Sequence, residues 1–107
     1  MKTISTNELK EKLDNGDSFK LVFTLGDWYF RAMHIPGSIS VHNPEEAPQY
    51  LSKDDEIVVY CSNPECSASQ VAYISLEKAG FKNLRRFAGG LEAWQKAGYD
   101  LEGEMVD

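Results

Sequence analysis

The chain has 107 residues, of which 42% are hydrophobic and 11% aromatic, and its formal net charge is −6. This length and composition predict a single folded domain over residues 1–107 and argue against a disordered or low-complexity chain. The acidic balance argues against nucleic acid or a membrane as partner, and without an apolar leader or an apolar run of membrane-spanning length we expect a cytoplasmic protein.

The first half of the sequence alternates helical and extended patterns. A capping box formed by Ser5 and Glu8 starts a short helix that ends at Asn15. A continuous apolar run predicts a buried strand at 19–24. We then expect a helix at 28–33, a turn at 34–38, a strand at 38–41 and a helix at 44–51.

The most informative stretch runs from residue 57 to residue 80. Residues 57–60 (IVVY) form an unbroken apolar run, which predicts a strand buried on both faces. Cys61 follows that strand, and residues 62–67 are short, polar and loop-forming. An S-x-x-Q capping box of Ser67 and Gln70 then predicts a helix, which Gly80 ends.

The remaining sequence predicts a strand at 84–87, a tight turn at 88–90 and a helix at 91–96. Strands that alternate with helices indicate an α/β fold with a mostly parallel sheet covered by helices on both faces. Ligands of such sheets bind at the carboxyl ends of the strands, which is where Cys61 lies.

Cys61 is therefore the candidate nucleophile. A thiol at a helix N-terminus, surrounded by hydrogen-bond donors, is held as the reactive thiolate. The loop and the first helical residues offer backbone N–H groups and side-chain donors, although Pro64 has no N–H group. The predicted binding loop comprises Ser62, Asn63, Pro64, Glu65, Cys66, Ser67, Ala68 and Ser69.

Cys66 has two interpretations that the sequence leaves open. A curled loop can bring it close enough to Cys61 to act as a resolving thiol, and the alternative is a small residue packed under the helix start. With only two cysteines, and without C-x-x-C spacing, we expect both thiols to be free. Phosphatase chemistry is excluded, because the position of the arginine in a C-x5-R motif is occupied by Ser67.

Other charged residues near the predicted site are weaker candidates. Arg31 lies near the end of a helix, and Arg85 and Arg86 alternate in direction along a strand, so at most one of these two attracts an anion to the loop. His34 precedes a Pro-Gly turn and is interpreted as structural. No ligand spacing predicts a metal site.

Four motifs resemble the rhodanese-like (sulfurtransferase) domain family across nearly the whole chain. They are HIPGS at 34–38, VVYC at 58–61, GFKNL at 80–84, and GGLEAW at 89–94 with AGY at 97–99. The resemblance implies a five-stranded parallel sheet flanked by helices, and a Cys61 that carries sulfane sulfur as a persulfide without a cofactor. It also implies partners that are a small sulfur donor and a thiol, cyanide or protein acceptor.

Two departures from the family pattern bear on activity. An Asp-x-Arg motif is replaced by FTL at 23–25, and the active loop is about two residues longer than usual, with Glu65 and no Lys or Arg. We therefore expect low activity toward the thiosulfate dianion. The alternative function is a catalytically weak binding or redox-sensing module that uses Cys61 and Cys66.

Overall fold

The computed structural model describes residues 1–106, and it describes only the backbone of Pro44. Helices and strands alternate along this range. They are α1 Thr6–Asp14, β1 Lys20–Phe23, α2 Asp27–Ala32, β2 Ile39–Ser40, α3 Ala47–Tyr50, β3 Ile57–Tyr60, α4 Ala68–Lys78, β4 Leu84–Phe87 and α5 Gly90–Lys96. Across the described range, no helix is both long enough and apolar enough to cross a bilayer.

The strands form one parallel sheet in the order β2-β1-β3-β4. This confirms the α/β prediction, although the described chain has four strands where the family resemblance implies five. The N-terminal segment supplies a single parallel bridge between Thr3 and Arg86. Ile4 N–H donates to Arg86 O at 3.1 Å, and Arg86 N–H donates to Lys2 O at 2.8 Å. The fifth strand is thus reduced to a short pairing at the β4 edge.

Both faces of the sheet are covered by apolar side chains, as an unbroken apolar β3 requires. Successive β3 residues alternate between the faces, so Ile57 and Val59 lie on the α4 side while Val58 and Tyr60 lie on the α1 and α5 side. The α4 side is completed by Val22, Val41, Ala47, Leu51, Tyr73, Leu76, Phe81 and Leu84. The opposite side contains Ile4, Leu9, Leu21, Phe23, Ile35, Phe87 and Trp94.

Two predicted helix features differ from the structure. Ser67 is the N-cap residue of α4, but its backbone is helical at φ −81° and ψ −13°, and its side chain makes no capping hydrogen bond. The predicted capping box with Gln70 is therefore wrong, because a side-chain cap needs an extended N-cap residue. The predicted 44–51 helix is divided into a 3-10 turn at Pro44–Glu46 and α3, because Pro48 has no N–H group for the preceding turn.

Candidate active site

Cys61 lies directly after β3, which pairs with β1 and β4 on its two sides. The residue is 1% exposed. Its carbonyl oxygen accepts a hydrogen bond from Leu91 N–H at 3.0 Å, and Ser62 O accepts one from Glu92 N–H at 2.9 Å. The first amides of α5 therefore fix the start of the loop.

Gly90 explains how α5 can come so close to this loop. Its φ angle is +62°, and a Cβ atom there would lie 2.5 Å from Cys61 O and 2.9 Å from the carbonyl carbon of Ser62. Both the backbone conformation and the close approach require glycine. The second glycine of the GGLEAW motif thus positions the candidate nucleophile.

The loop turns back on itself and joins the two cysteines. Cys66 N–H donates to Asn63 O at 3.2 Å, and this turn brings the Cα atoms of Cys61 and Cys66 to 6.3 Å. The two residues form a disulfide. The expectation that both thiols are free is therefore wrong in this state, because the turn brings Cys66 within bonding range of Cys61.

The disulfide is covered unevenly. Cys61 is buried, whereas Cys66 is partly exposed. Exposed residues flank Cys66 at Pro64, Glu65 and Ser67, whereas Ser62, Asn63 and Ala68 are half-buried. The solvent side of the loop is thus the side on which Cys66 lies.

Arg86 brings a positive charge to the loop from β4. Its side chain is 9% exposed, and it lies on the α4 side because the sheet register pairs Arg86 with Val59. Arg86 Nε donates to Ser69 Oγ at 2.8 Å, and Nη2 donates to Pro64 O at 3.2 Å. One buried guanidinium thus connects the middle of the loop to the first turn of α4.

The other two arginine candidates have different surroundings. Arg85 points to the opposite side of the sheet, where it pairs with Glu8 at 2.7 Å and Glu56 at 2.9 Å. Arg31 is exposed on α2, and its carbonyl accepts a hydrogen bond from Glu104 N–H at 2.8 Å. Of the three arginines, only Arg86 has a described hydrogen bond to the loop.

Of the expected side-chain donors, Ser62 lies within hydrogen-bonding range of the Cys61 sulfur in this disulfide state. Ser62 Oγ lies 4.0 Å from Cys61 Sγ, and Ser69 Oγ is the acceptor for Arg86. The start of α4 carries no side-chain cap. Uncapped N–H groups at a helix N-terminus favour negative charge, so this end of α4 is suited to an anion on Cys61.

The two histidines have structural surroundings. His34 Nδ1 donates to Phe30 O at 2.7 Å, and the His34 ring stacks on the Phe30 ring with centroids 4.0 Å apart. His42 Nδ1 lies 3.3 Å from Thr24 O. Residues 1–106 contain no group of three or more His, Cys, Asp and Glu side chains placed to hold a metal ion.

Sequence reasoning missed a buried hydrogen-bond group at the end of β3. Tyr60 Oη accepts from Ile35 N–H at 3.0 Å and lies 2.8 Å from Ser38 Oγ. Burial raises the pKa of Tyr60 to about 12. Thr24, in the middle of the FTL segment, donates through Oγ1 to Tyr60 O at 3.0 Å. The hydrogen bonds of Tyr60 thereby fix the HIPGS turn to β3, the strand that Cys61 follows.

Comparisons with known proteins agree with this arrangement. The family model for the rhodanese-like domain matches residues 5–97. The solution structure of the rhodanese-like domain from the Anabaena Alr3790 protein has a TM-score of 0.87 and 28% identity, over 98% of this chain and 81% of that one.

Two curated relatives are much longer than this chain. "Probable adenylyltransferase/sulfurtransferase MoeZ" from Mycobacterium tuberculosis is 32% identical over 97% of this chain and 26% of its own length. YrkF from Bacillus subtilis, named as a candidate sulfur carrier protein, is 28% identical over 85% of this chain and 49% of its own length. The chain thus spans between about a quarter and about half of these relatives.

Proposed function

Because the chain belongs to the rhodanese-like domain family, we propose that it carries and transfers sulfane sulfur through a persulfide on Cys61. The observation that supports this most directly is the place of Cys61, between the end of β3 and the uncapped start of α4. Relatives named as a sulfurtransferase and as a candidate sulfur carrier agree with the same chemistry.

The reactive form is the reduced one, in which the Cys61–Cys66 disulfide is open. The Cys61 thiolate attacks the sulfane sulfur of a small donor, the donor's bond to that sulfur breaks, and the leaving group departs with the bonding electrons. The product is a Cys61 persulfide. The start of α4 and the guanidinium of Arg86 stabilise its negative outer sulfur.

Sulfur then leaves to an acceptor. A thiolate or cyanide attacks the outer sulfur, the sulfur–sulfur bond breaks, and Cys61 is released as a thiolate. The acceptor is either a small molecule or a thiol of another protein. The acidic chain and Glu65 disfavour thiosulfate as a donor, whereas the positive charge of Arg86 partly offsets that effect.

Cys66 provides a second route of discharge. Its thiolate attacks the inner sulfur of the Cys61 persulfide, which forms the Cys61–Cys66 disulfide and expels hydrosulfide. Two electrons pass from the two thiols to the departing sulfur. The 6.3 Å separation of the two Cα atoms supports this role for Cys66 as the resolving thiol.

The test is mass spectrometry of reduced protein after incubation with a persulfide or thiosulfate donor. We expect one added sulfur on the peptide that contains Cys61, in the wild type and more persistently in Cys66→Ser, where the internal discharge is blocked. Cys61→Ser should lose sulfur transfer by at least about 10³-fold. Full transfer by Cys61→Ser would contradict the proposal.

The disulfide itself favours a second candidate function, a redox-sensing module. Such a module would form and open the Cys61–Cys66 bond without turning over a sulfur donor. A thiosulfate:cyanide assay beside a persulfide-donor assay separates the two functions, because the redox module is inactive in both.

A further inference from the structure

The two sulfur atoms of the disulfide belong to residues with very different access to solvent. Cys61 is 1% exposed and lies beneath α5, whose Gly90 contacts the Cys61 carbonyl. Cys66 is partly exposed and is flanked by the exposed Glu65 and Ser67. A reagent that reaches the disulfide from solvent therefore meets Cys66 first.

The geometry of thiol–disulfide exchange makes this difference decisive. An incoming thiolate approaches along the sulfur–sulfur axis, from the side opposite the sulfur that leaves, and the reaction rate depends on access and on the stability of the leaving thiolate. Attack on Cys66 comes from the solvent side of the loop. Attack on Cys61 would have to come through the buried side, where the sheet and α5 lie.

The leaving-group preference points the same way. If Cys66 is attacked, Cys61 leaves as a thiolate in the loop that Arg86 holds. If Cys61 is attacked, the leaving thiolate is on Cys66, beside the carboxylate-bearing Glu65. The start of α4 does not distinguish the two thiolates, because Cys66 directly precedes its N-cap residue Ser67. The preference for departure of Cys61 therefore rests on access and on the charge of Glu65.

We propose that the Cys61–Cys66 disulfide is a one-sided redox lock, which an external thiol opens by attacking Cys66. This inference rests on the proposed function only in treating Cys61 as the sulfur-carrying group that the lock controls. The first thiolate forms a mixed disulfide with Cys66 and releases the Cys61 thiolate. A second thiolate attacks the external sulfur of that mixed disulfide and releases Cys66, so two thiols are oxidised to one disulfide while the cysteine pair is reduced.

The lock also places the domain in a reaction sequence. Each internal discharge of a persulfide closes the disulfide and releases hydrosulfide, so the next turnover requires two thiol equivalents. After every discharge through Cys66, two external thiols must therefore be oxidised to a disulfide before Cys61 can accept sulfur again. Direct transfer to an external acceptor leaves the lock open and needs no reductant.

The experiment uses the full oxidised chain with glutathione as the thiol. Samples are quenched at short times with acid and N-ethylmaleimide, digested, and mapped by tandem mass spectrometry, and the distribution is extrapolated to zero time so that later exchange is removed. We expect glutathione on Cys66 and maleimide on Cys61, with at least about a tenfold excess over the reverse pattern. The reverse pattern, or equal amounts of both, would overturn the proposal.

No sulfur donor is present in that experiment, so its result is separate from the test of sulfur transfer. If the chain shows the expected labelling but never acquires a persulfide, the redox lock is supported and the proposed sulfur transfer is contradicted. If the chain acquires the persulfide but glutathione is found equally on Cys61 and Cys66, the proposed sulfur transfer is supported and the redox lock is contradicted.

Discussion

Arg86 places a buried positive charge against the loop that follows the candidate nucleophile. It donates to Ser69 and Pro64, both neutral acceptors, and it is absent from the ion pairs formed among residues 1–106. A buried cation without a counter-charge is costly, and an anion on Cys61 would reduce that cost. Reduction of the disulfide and the proposed loading of sulfur would each supply such an anion.

The matched arginines of β4 allow this effect to be measured. In a Cys66→Ser background, Arg86→Gln should raise the midpoint pH for alkylation of Cys61 and lower the free energy of unfolding by about 2–3 kcal/mol. Arg85→Gln is the control, because Arg85 pairs with surface carboxylates on the other side of the sheet. It should cost about 1 kcal/mol or less and leave the midpoint unchanged. Equal midpoints in the two variants would show that Arg86 does not act on Cys61.

Tyr60 gives the domain a pH-dependent contribution to stability. Burial raises the Tyr60 pKa from 10.0 to about 12, so the folded state binds the phenolic proton more tightly than the unfolded state does. The stabilisation is complete below pH 10 and is lost as the pH rises through about 12.

The measurement compares Tyr60→Phe with its parent in a Cys61→Ser, Cys66→Ser background, by urea unfolding as a function of pH. At pH 7 the variant should be less stable by about 1–3 kcal/mol, because Ile35 N–H loses its acceptor. Between pH 10 and about 12 the free energy of unfolding of the parent should fall by roughly 2–3 kcal/mol more than that of the variant. The two plots of unfolding free energy against pH therefore converge. Parallel curves across this range would show that Tyr60 is not responsible.

The start of α5 contacts the Cys61–Cys66 loop through main-chain atoms. Gly90 fits against the carbonyl of Cys61, and the next two amides donate to the loop. The loop is therefore held on one side by α5 and on the other by Arg86. This double attachment keeps Cys61 at the end of β3 when the loop is otherwise polar and partly exposed.

A comparison of Gly90→Ala with Gly98→Ala separates the cost of backbone strain from the cost of the contact between residue 90 and the loop. Gly90→Ala should cost about 3–5 kcal/mol, because a left-handed conformation and a clash with the Cys61 and Ser62 backbone both oppose it. Gly98→Ala also has a positive φ, at +81°, but no atom lies within 4 Å of its added Cβ, so we expect about 1–2 kcal/mol. Denaturant unfolding gives both values. Similar losses would mean that the loop adjusts to the Gly90 methyl group.

Local sequence patterns predicted some parts of this arrangement well. The bounds of β3 and β4 agree with the prediction, because loop-forming residues mark both ends of each strand. The approach of Cys66 to Cys61 was foreseen as one of two alternatives. Arg31, Arg85 and Arg86 were all candidates for a contact with the loop. The choice between Arg85 and Arg86 stayed open, because it depends on the pairing of β4 with β3.

Other features lay outside what local patterns can predict. The contact of Gly90 with Cys61 joins distant parts of the chain, and a glycine pair alone indicates only a turn. The Ser67 and Gln70 pattern failed because the S-x-x-Q motif does not reveal that the backbone enters α4 already in a helical conformation. Tyr60 was interpreted as an apolar residue, and its hydrogen bonds depend on packing against the HIPGS turn.

The stability of the domain rests mainly on its two apolar layers, because the disulfide closes only a short loop. The bonded cysteines are five positions apart, and closure of so short a loop stabilises a protein by about 2 kcal/mol. The reduced form, which the proposed sulfur transfer requires, should therefore remain folded. This is necessary if the domain is to alternate between a closed and an open loop.

The Cys61→Ser, Cys66→Ser variant tests this expectation. It should unfold cooperatively in urea, with a free energy of unfolding lower than that of the oxidised wild type by about 2 kcal/mol. Reduced wild-type protein should match the variant. Loss of the cooperative transition would mean that the apolar layers cannot hold the fold without the bond.

The hydrogen bonds from α5 to the loop also provide an internal spectroscopic probe. Leu91 N–H and Glu92 N–H donate to Cys61 and Ser62, so their amide resonances should shift when the disulfide opens and again when Cys61 takes up sulfur. Gly98 N–H, bonded to Gln95 O at the far end of the same helix, offers an unchanged reference signal. Two-dimensional NMR of isotope-labelled protein could thus follow oxidation state and sulfur loading in real time, without a chemical tag on either cysteine.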